Sequence, residues 1–180
     1  MNLSPYRCVG FAILLAALAL PSAAAAQEVF GGLYRHDATI FRAGGRIERG
    51  EDFQLGYRFG PIFSGLSGLR PHVMILANTN GGADFASAGV SWKFGGQFYL
   101  RPGVGLAVHD GDVHLTPAYL QRHRIPFGSP VLFAPELSAG IRVARNASLE
   151  ATWLHFSHAS LFSHVNPGID DVGLRLNVAF

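Results

Sequence analysis

From residue 27 onward, apolar and polar residues alternate singly over stretches of about ten, the period of strands with two unlike faces. The alternation predicts eight strands, near 28–36, 50–59, 70–79, 83–94, 97–108, 131–144, 148–158 and 170–180. Helical periodicity is poor, and 22 glycines and 10 prolines interrupt any helix that might be drawn. In the fifth strand Phe98, Leu100, Pro102, Val104, Leu106 and Val108 share one face, against Gln97, Arg101, Gly103 and Gly105. The eighth sets Val172, Leu174, Leu176, Val178 and Phe180 against Asp171, Gly173, Arg175 and Asn177.

Alternation does not say which face points outward, and a soluble eight-stranded carrier would line its interior with the apolar one. Three features favour the inverted arrangement of a membrane barrel. The apolar faces are long enough for a tilted strand to cross a bilayer. The other faces mix Arg101, Arg142, Arg175 and Lys93 with Glu136, Glu150 and Asp171, as a narrow lumen of paired charges would. The chain also stops within its last strand, at Phe180, an ending that resembles the C-terminal signature of bacterial outer-membrane barrels. With both termini periplasmic, Gly95-Gly96 and Arg145-Asn146-Ala147 make short periplasmic turns, Pro61 to Leu69 a longer one, and 109–130 and 159–169 outer loops.

The first 26 residues read as an export signal. Arg7 is followed by an apolar run from about Val9 to Leu20, then Ala24-Ala25-Ala26, so cleavage is expected before Gln27. The domain reading is thus signal peptide 1–26 and barrel 27–180. Cys8, the only cysteine, precedes the apolar run, which argues against a lipid anchor and leaves the mature chain without a thiol. Only 14% of residues are charged and the arginines are scattered, so no nucleic-acid footprint exists.

Candidate chemistry concentrates in the last hairpin. His155 and Ser157 are two apart on a strand and share the face of Leu149, Ala151 and Trp153, the lipid-facing one. Asp170 is in phase with Val172 and Leu174, again facing lipid. Setting His155 opposite Asp170 pairs Trp153 with Val172, Ala151 with Leu174 and Leu149 with Leu176. Polar groups on a lipid face are costly unless they pair with each other near the headgroups. The spacing therefore suggests Ser157 as nucleophile, His155 as general base and Asp170 as the carboxylate holding the imidazole. Asn166 and backbone N–H groups near Ala159 and Ser160 are the candidate oxyanion donors.

His155-x-Ser157, a short loop, Asn166-x-Gly168-x-Asp170 and a final strand ending in Phe180 together resemble the outer-membrane lipid A 3-O-deacylases of the PagL type. Gly31-Gly32-Leu33-Tyr34 and Arg70-Pro71-His72 add to the likeness. The resemblance implies an eight-stranded barrel whose Ser157, His155 and acidic residue face the bilayer and release the 3-position acyl chain of lipid A. Asp170 stands where the family usually has Glu, and His158, at the oxyanion site, where its best-known form has Asn. The loop is one residue longer.

Other readings are weaker. His109, His114 and His123 lie in a proline-containing loop at spacings that match no metal pattern, and neither a metal nor another cofactor is expected. Glu136 and Glu150 read as lumen ion pairs rather than paired catalytic acids. The reading is a lipid A 3-O-deacylase of the bacterial outer membrane, its partner the lipopolysaccharide of the outer leaflet. A homodimer is left open. A non-catalytic structural or adhesion barrel is the alternative, and a soluble periplasmic carrier a third.

Overall fold

The computed structural model describes residues 27–40, 45–62, 68–115 and 124–180. The proposed signal peptide, with Cys8, and His123 lie outside the described residues, as does part of the Pro61 to Leu69 turn. The strands are β1 (Glu28–Arg35), β2 (Glu51–Arg58), β3 (Leu69–Asn78), β4 (Phe85–Trp92), β5 (Phe94–Gly95), β6 (Phe98–His109), β7 (Val131–Phe133), β8 (Glu136–Arg142), β9 (Ala147–Phe156) and β10 (Ile169–Ala179). Each pairs antiparallel with its neighbours, β10 pairs with β1, and β4 pairs with β6, so the sheet closes on itself. Closure leaves no free edge.

Ten segments make eight staves. β4 and β5 are one stave interrupted at Lys93, and β7 and β8 another interrupted at Ala134-Pro135. The sixth predicted strand is therefore broken. Pro135 has no N–H to give the ladder, though its carbonyl still accepts the His155 N–H at 3.0 Å. At the seam Gln27 and Phe180 exchange backbone hydrogen bonds of 3.1 and 3.0 Å, which sets both ends of the barrel chain at one rim.

The apolar faces point outward. Leu33, Phe53, Leu55, Phe98, Leu100, Val104, Leu106, Leu174 and Leu176 are exposed, whereas Arg58, Arg101, Arg175, Glu136 and Glu150 are buried inside. Within the lumen Arg175 binds Glu150 through Nε at 2.7 Å and Glu136 through Nη1 at 3.0 Å. Arg101 reaches Glu150 at 3.1 Å and Glu28 at 2.8 Å, and Arg58 pairs with Glu28 too. The Arg58 and Arg175 guanidiniums both lie over the Phe30 ring, 4.7 and 4.8 Å from its centroid. Gly140 leaves room for the inward Tyr99 ring, which a Cβ there would meet at 2.3 Å.

Towards the loop rim the filling turns apolar, with Phe85 stacked on Phe156 at 4.1 Å and edge-on to Phe127 at 5.7 Å. Charged band and aromatic plug both press on the inner wall, so the strands that carry outward groups are held from behind. Two luminal expectations need correcting. Asp171 points inward but pairs with no arginine or lysine among the described residues: the three donor nitrogens of Arg175 go to Glu150, Glu136 and Ser138, and the neighbours of Asp171 are Asp37, His36 and Asp52. Arg142 is exposed and lies with Lys93 and Arg70 at the rim carrying the termini, outside the buried ion-pair ladder. Strand phase assigns a face, but a long side chain chooses its partner several residues away.

Candidate active site

β9 and β10 pair with His155 opposite Asp170, Trp153 opposite Val172, Ala151 opposite Leu174 and Leu149 opposite Leu176, the register expected from the outward polar groups. Asp170 and His155 thereby become directly opposed neighbours on the outer wall. His155 Nδ1 lies 2.8 Å from Asp170 Oδ1, and His155 Nε2 lies 2.9 Å from Ser157 Oγ. With Asp170 ionised, Nδ1 carries the proton and donates it to the carboxylate. The lone pair of Nε2 then faces the serine hydroxyl.

Sequence reasoning missed one member. Trp153 Nε1 donates to the same Asp170 Oδ1 at 2.9 Å, and its ring stacks on His155 at 5.9 Å between centroids. The signal was present, since Trp153 precedes His155 by two on one face. Asp170 is only 2% exposed although its strand phase is outward, because Trp153 and His155 cover it; the His155 side chain stays 24% exposed. A carboxylate that takes two N–H donors and is shielded from water is fixed in position, so it can fix the imidazole in turn.

Ser157 lies one residue past β9 but is not loose. Its carbonyl accepts the Phe133 N–H at 2.7 Å and its N–H donates to the Phe133 carbonyl at 3.2 Å. The chain then reverses at Ala159 and Ser160, whose φ angles of 51° and 58° lie in the left-handed region, uncommon for residues with a Cβ. Gly168, at φ 62°, approaches from β10, where a Cβ would sit 3.0 Å from His155 Cε1 and 3.3 Å from Ser157 Cβ. Glycine keeps the space over the pair free.

The remaining predicted residues build the loop. Asn166 Oδ1 accepts the His158 N–H at 3.0 Å, which leaves the amide nitrogen of Asn166 as its donor end. His158 is wholly buried, its Nε2 donating to the Val165 carbonyl at 2.8 Å and its Nδ1 accepting from the Phe162 N–H at 3.3 Å. Both ring nitrogens are spent on backbone, so His158 anchors the loop and has no donor to offer an oxyanion. Ser160 sits exposed on the turn. His109 binds backbone through both nitrogens, to Ser129 and Gly111.

Below the site on the outer wall, Leu149 and Ala151 continue the face of His155. With Leu100, Ala139 and Leu174 they line an open apolar groove of about 650 Å³. Small residues at 139 and 151 between large ones make the groove, a contour that alternation alone does not reveal.

Solved structures share the fold. The crystal structure of the outer membrane enzyme PagL matches at 19% identity, covering 86% of this chain and 99% of that one, with a TM-score of 0.57. The N-terminal β-barrel domain of Pseudomonas aeruginosa OprF matches at 11% identity, with 86% and 97% covered and a TM-score of 0.57. The Yersinia pestis outer membrane protein Ail in a phospholipid nanodisc matches at 12%, with 87% and 99% covered and a TM-score of 0.52. Comparison with curated proteins gives no match. The family model for lipid A 3-O-deacylase (PagL) matches residues 63–179, well over half of the chain and all of β9 and β10. The chain belongs to the lipid A 3-O-deacylase (PagL) family, ester hydrolases of the outer membrane.

Proposed function

We propose that Ser157, His155 and Asp170 hydrolyse the ester at the 3-position of lipid A from the outer leaflet. One observation carries this reading: the unbroken chain of hydrogen bonds Asp170–His155–Ser157 on the outward face of the wall. Ser157 Oγ attacks the ester carbonyl as its proton passes to His155 Nε2. The tetrahedral intermediate collapses, the C–O bond to the sugar breaks, and the sugar oxygen leaves with that proton. Water then gives a proton to Nε2 and attacks the acyl-serine, which frees the fatty acid and restores the serine. Asp170 stabilises the imidazolium formed in each half and is not itself protonated.

The oxyanion donors in this reading are the Asn166 amide and the N–H groups of the turn at Ala159 and Ser160, with His158 holding that turn in place. The groove along Leu149 and Ala151 takes the acyl chain, which keeps its apolar length against the wall while the ester sits at the headgroup level. All three reacting groups come from one hairpin, so a single copy of the chain suffices.

The test is to express the full chain in a Gram-negative host without 3-O-deacylase activity and compare lipid A masses. The expected change is the loss of one 3-hydroxyacyl group. Lipid A of unchanged mass, with folded barrel present in the outer membrane, would falsify the proposal.

A further inference from the structure

One residue past Asp170, on the opposite face of β10, Asp171 points into the loop end of the lumen. There it meets His36, just beyond β1, and Asp52 of β2. His36 Nδ1 is 2.8 Å from Asp52 Oδ2 and 3.7 Å from Asp171 Oδ1. One ligand atom from each of the three lies within 4.8 Å of the others, and all three side chains are wholly buried. On the far side of the ring, Nε2 lies 2.7 Å from Glu48 Oε2. Glu48 is itself held by the backbone N–H groups of Ala83 at 2.8 Å and Ile125 at 2.7 Å.

Three observations point to a cation. Glu48, Asp52 and Asp171 form no ion pair with lysine or arginine among the described residues, and one imidazole carries at most a single positive charge. Buried carboxylates are kept by pairing, by coordinating a metal or by taking up a proton. Among the described residues Asp171 Oδ2 has no hydrogen-bond partner, although Asp171 is 0% exposed. Finally, Glu48, His36 and the two aspartates reproduce the order of a carboxylate that orients a histidine toward a metal.

We propose that His36, Asp52 and Asp171 bind one divalent cation of the zinc class, with Glu48 orienting His36. An imidazole nitrogen with two carboxylates suits zinc, whereas calcium and magnesium prefer more oxygen ligands. Zinc bonds of about 2.0 Å need tetrahedral ligand atoms roughly 3.3 Å apart, so shifts on the order of 1 Å complete the site. The competing occupant is a proton, either on His36 between Asp52 and Glu48 or shared between Asp171 and Asp52. A bound ion would tie β1, β2 and β10 together immediately behind Asp170, a bracing role through which no step of ester hydrolysis passes. The site stands or falls independently of the deacylase reading.

The test uses the purified barrel in detergent micelles, stripped with chelator and titrated calorimetrically with zinc, calcium or magnesium chloride. Zinc is expected to bind one per chain, at least about 100-fold more tightly than the other two. Asp171→Asn and Asp52→Asn should each weaken zinc binding by at least about 100-fold, and Glu48→Gln by about 10- to 100-fold. Heat-modifiable gel migration identifies the variants that fold. X-ray absorption of the wild-type zinc complex, which needs no variant, should show one imidazole nitrogen among oxygens. Absence of stoichiometric zinc binding by the wild type, unchanged binding by folded Asp171→Asn, or two imidazoles in the spectrum would each overturn the assignment.

Discussion

Replacing Ser157 with alanine is expected to stop release of the 3-acyl chain while the barrel folds as before. The hydroxyl is the only group at the site that the proposed mechanism uses to form a bond with the acyl carbon. In serine hydrolases that work as a unit, loss of the nucleophile costs on the order of 10⁴- to 10⁶-fold in turnover. Stability should change by less than about 1 kcal/mol, because the partly exposed hydroxyl has one partner. The backbone exchange between Ser157 and Phe133 does not involve the side chain and survives the substitution. Fatty-acid release from lipopolysaccharide in detergent micelles measures the first effect, and heat-modifiable migration the second. A variant turning over within tenfold of wild type would remove Ser157 from the mechanism.

The largest effect on stability is expected at Arg175, on the other side of the wall. Its guanidinium is wholly buried and binds Glu150, Glu136 and Ser138 at once, at 2.7, 3.0 and 2.9 Å. Arg175→Leu leaves those buried acids charged without their shared guanidinium. Glu150 keeps Arg101 at 3.1 Å, but among the described residues Glu136 loses its only salt-bridge partner and already has one unpartnered oxygen. Breaking a buried pair on one side costs about 3–5 kcal/mol, more than the pair contributes when both partners are present. Urea unfolding in micelles should show that loss, and the double change Arg175→Leu with Glu136→Leu should recover more than half of it. A single variant within about 1 kcal/mol of wild type would mean that the lumen is wetter than its packing implies.

These two expectations rest on different kinds of legibility. The outward triad could be read from alternation because polar residues on an apolar face have few places to go. Once His155 and Asp170 must meet, the register of the whole hairpin follows, and Ala151 with Leu174 and Leu149 with Leu176 come along. Inside the lumen the same reasoning weakens. Arginine and glutamate reach across several strands, so Asp171 could be assigned to the interior but not to His36 and Asp52. Glu48 lies outside the alternating segments, where periodicity carries no information, and His36 stands at the very end of the first one, one residue past the observed β1.

Local backbone was the least legible. Ala159 and Ser160 take positive φ without being glycine, and nothing in their side chains announces it. The role of His158 depends on that turn. The family resemblance sets it at the oxyanion site, yet the folded loop spends both of its ring nitrogens on backbone. The break at Ala134-Pro135 was open to prediction from the missing N–H of proline. The Pro135 carbonyl still accepts the His155 N–H, so the ladder that seats the general base carries on across the break.

Covalent trapping probes the central claim most directly. Purified barrel in micelles would be treated with a long-chain alkyl phosphonofluoridate, digested, and mapped by mass spectrometry alongside residual deacylation. A single adduct on Ser157, with activity lost in proportion to its occupancy and no adduct in Ser157→Ala, is the predicted result. Full deacylase activity in protein whose Ser157 is completely modified, or an adduct that tracks inactivation at any other residue, would contradict it.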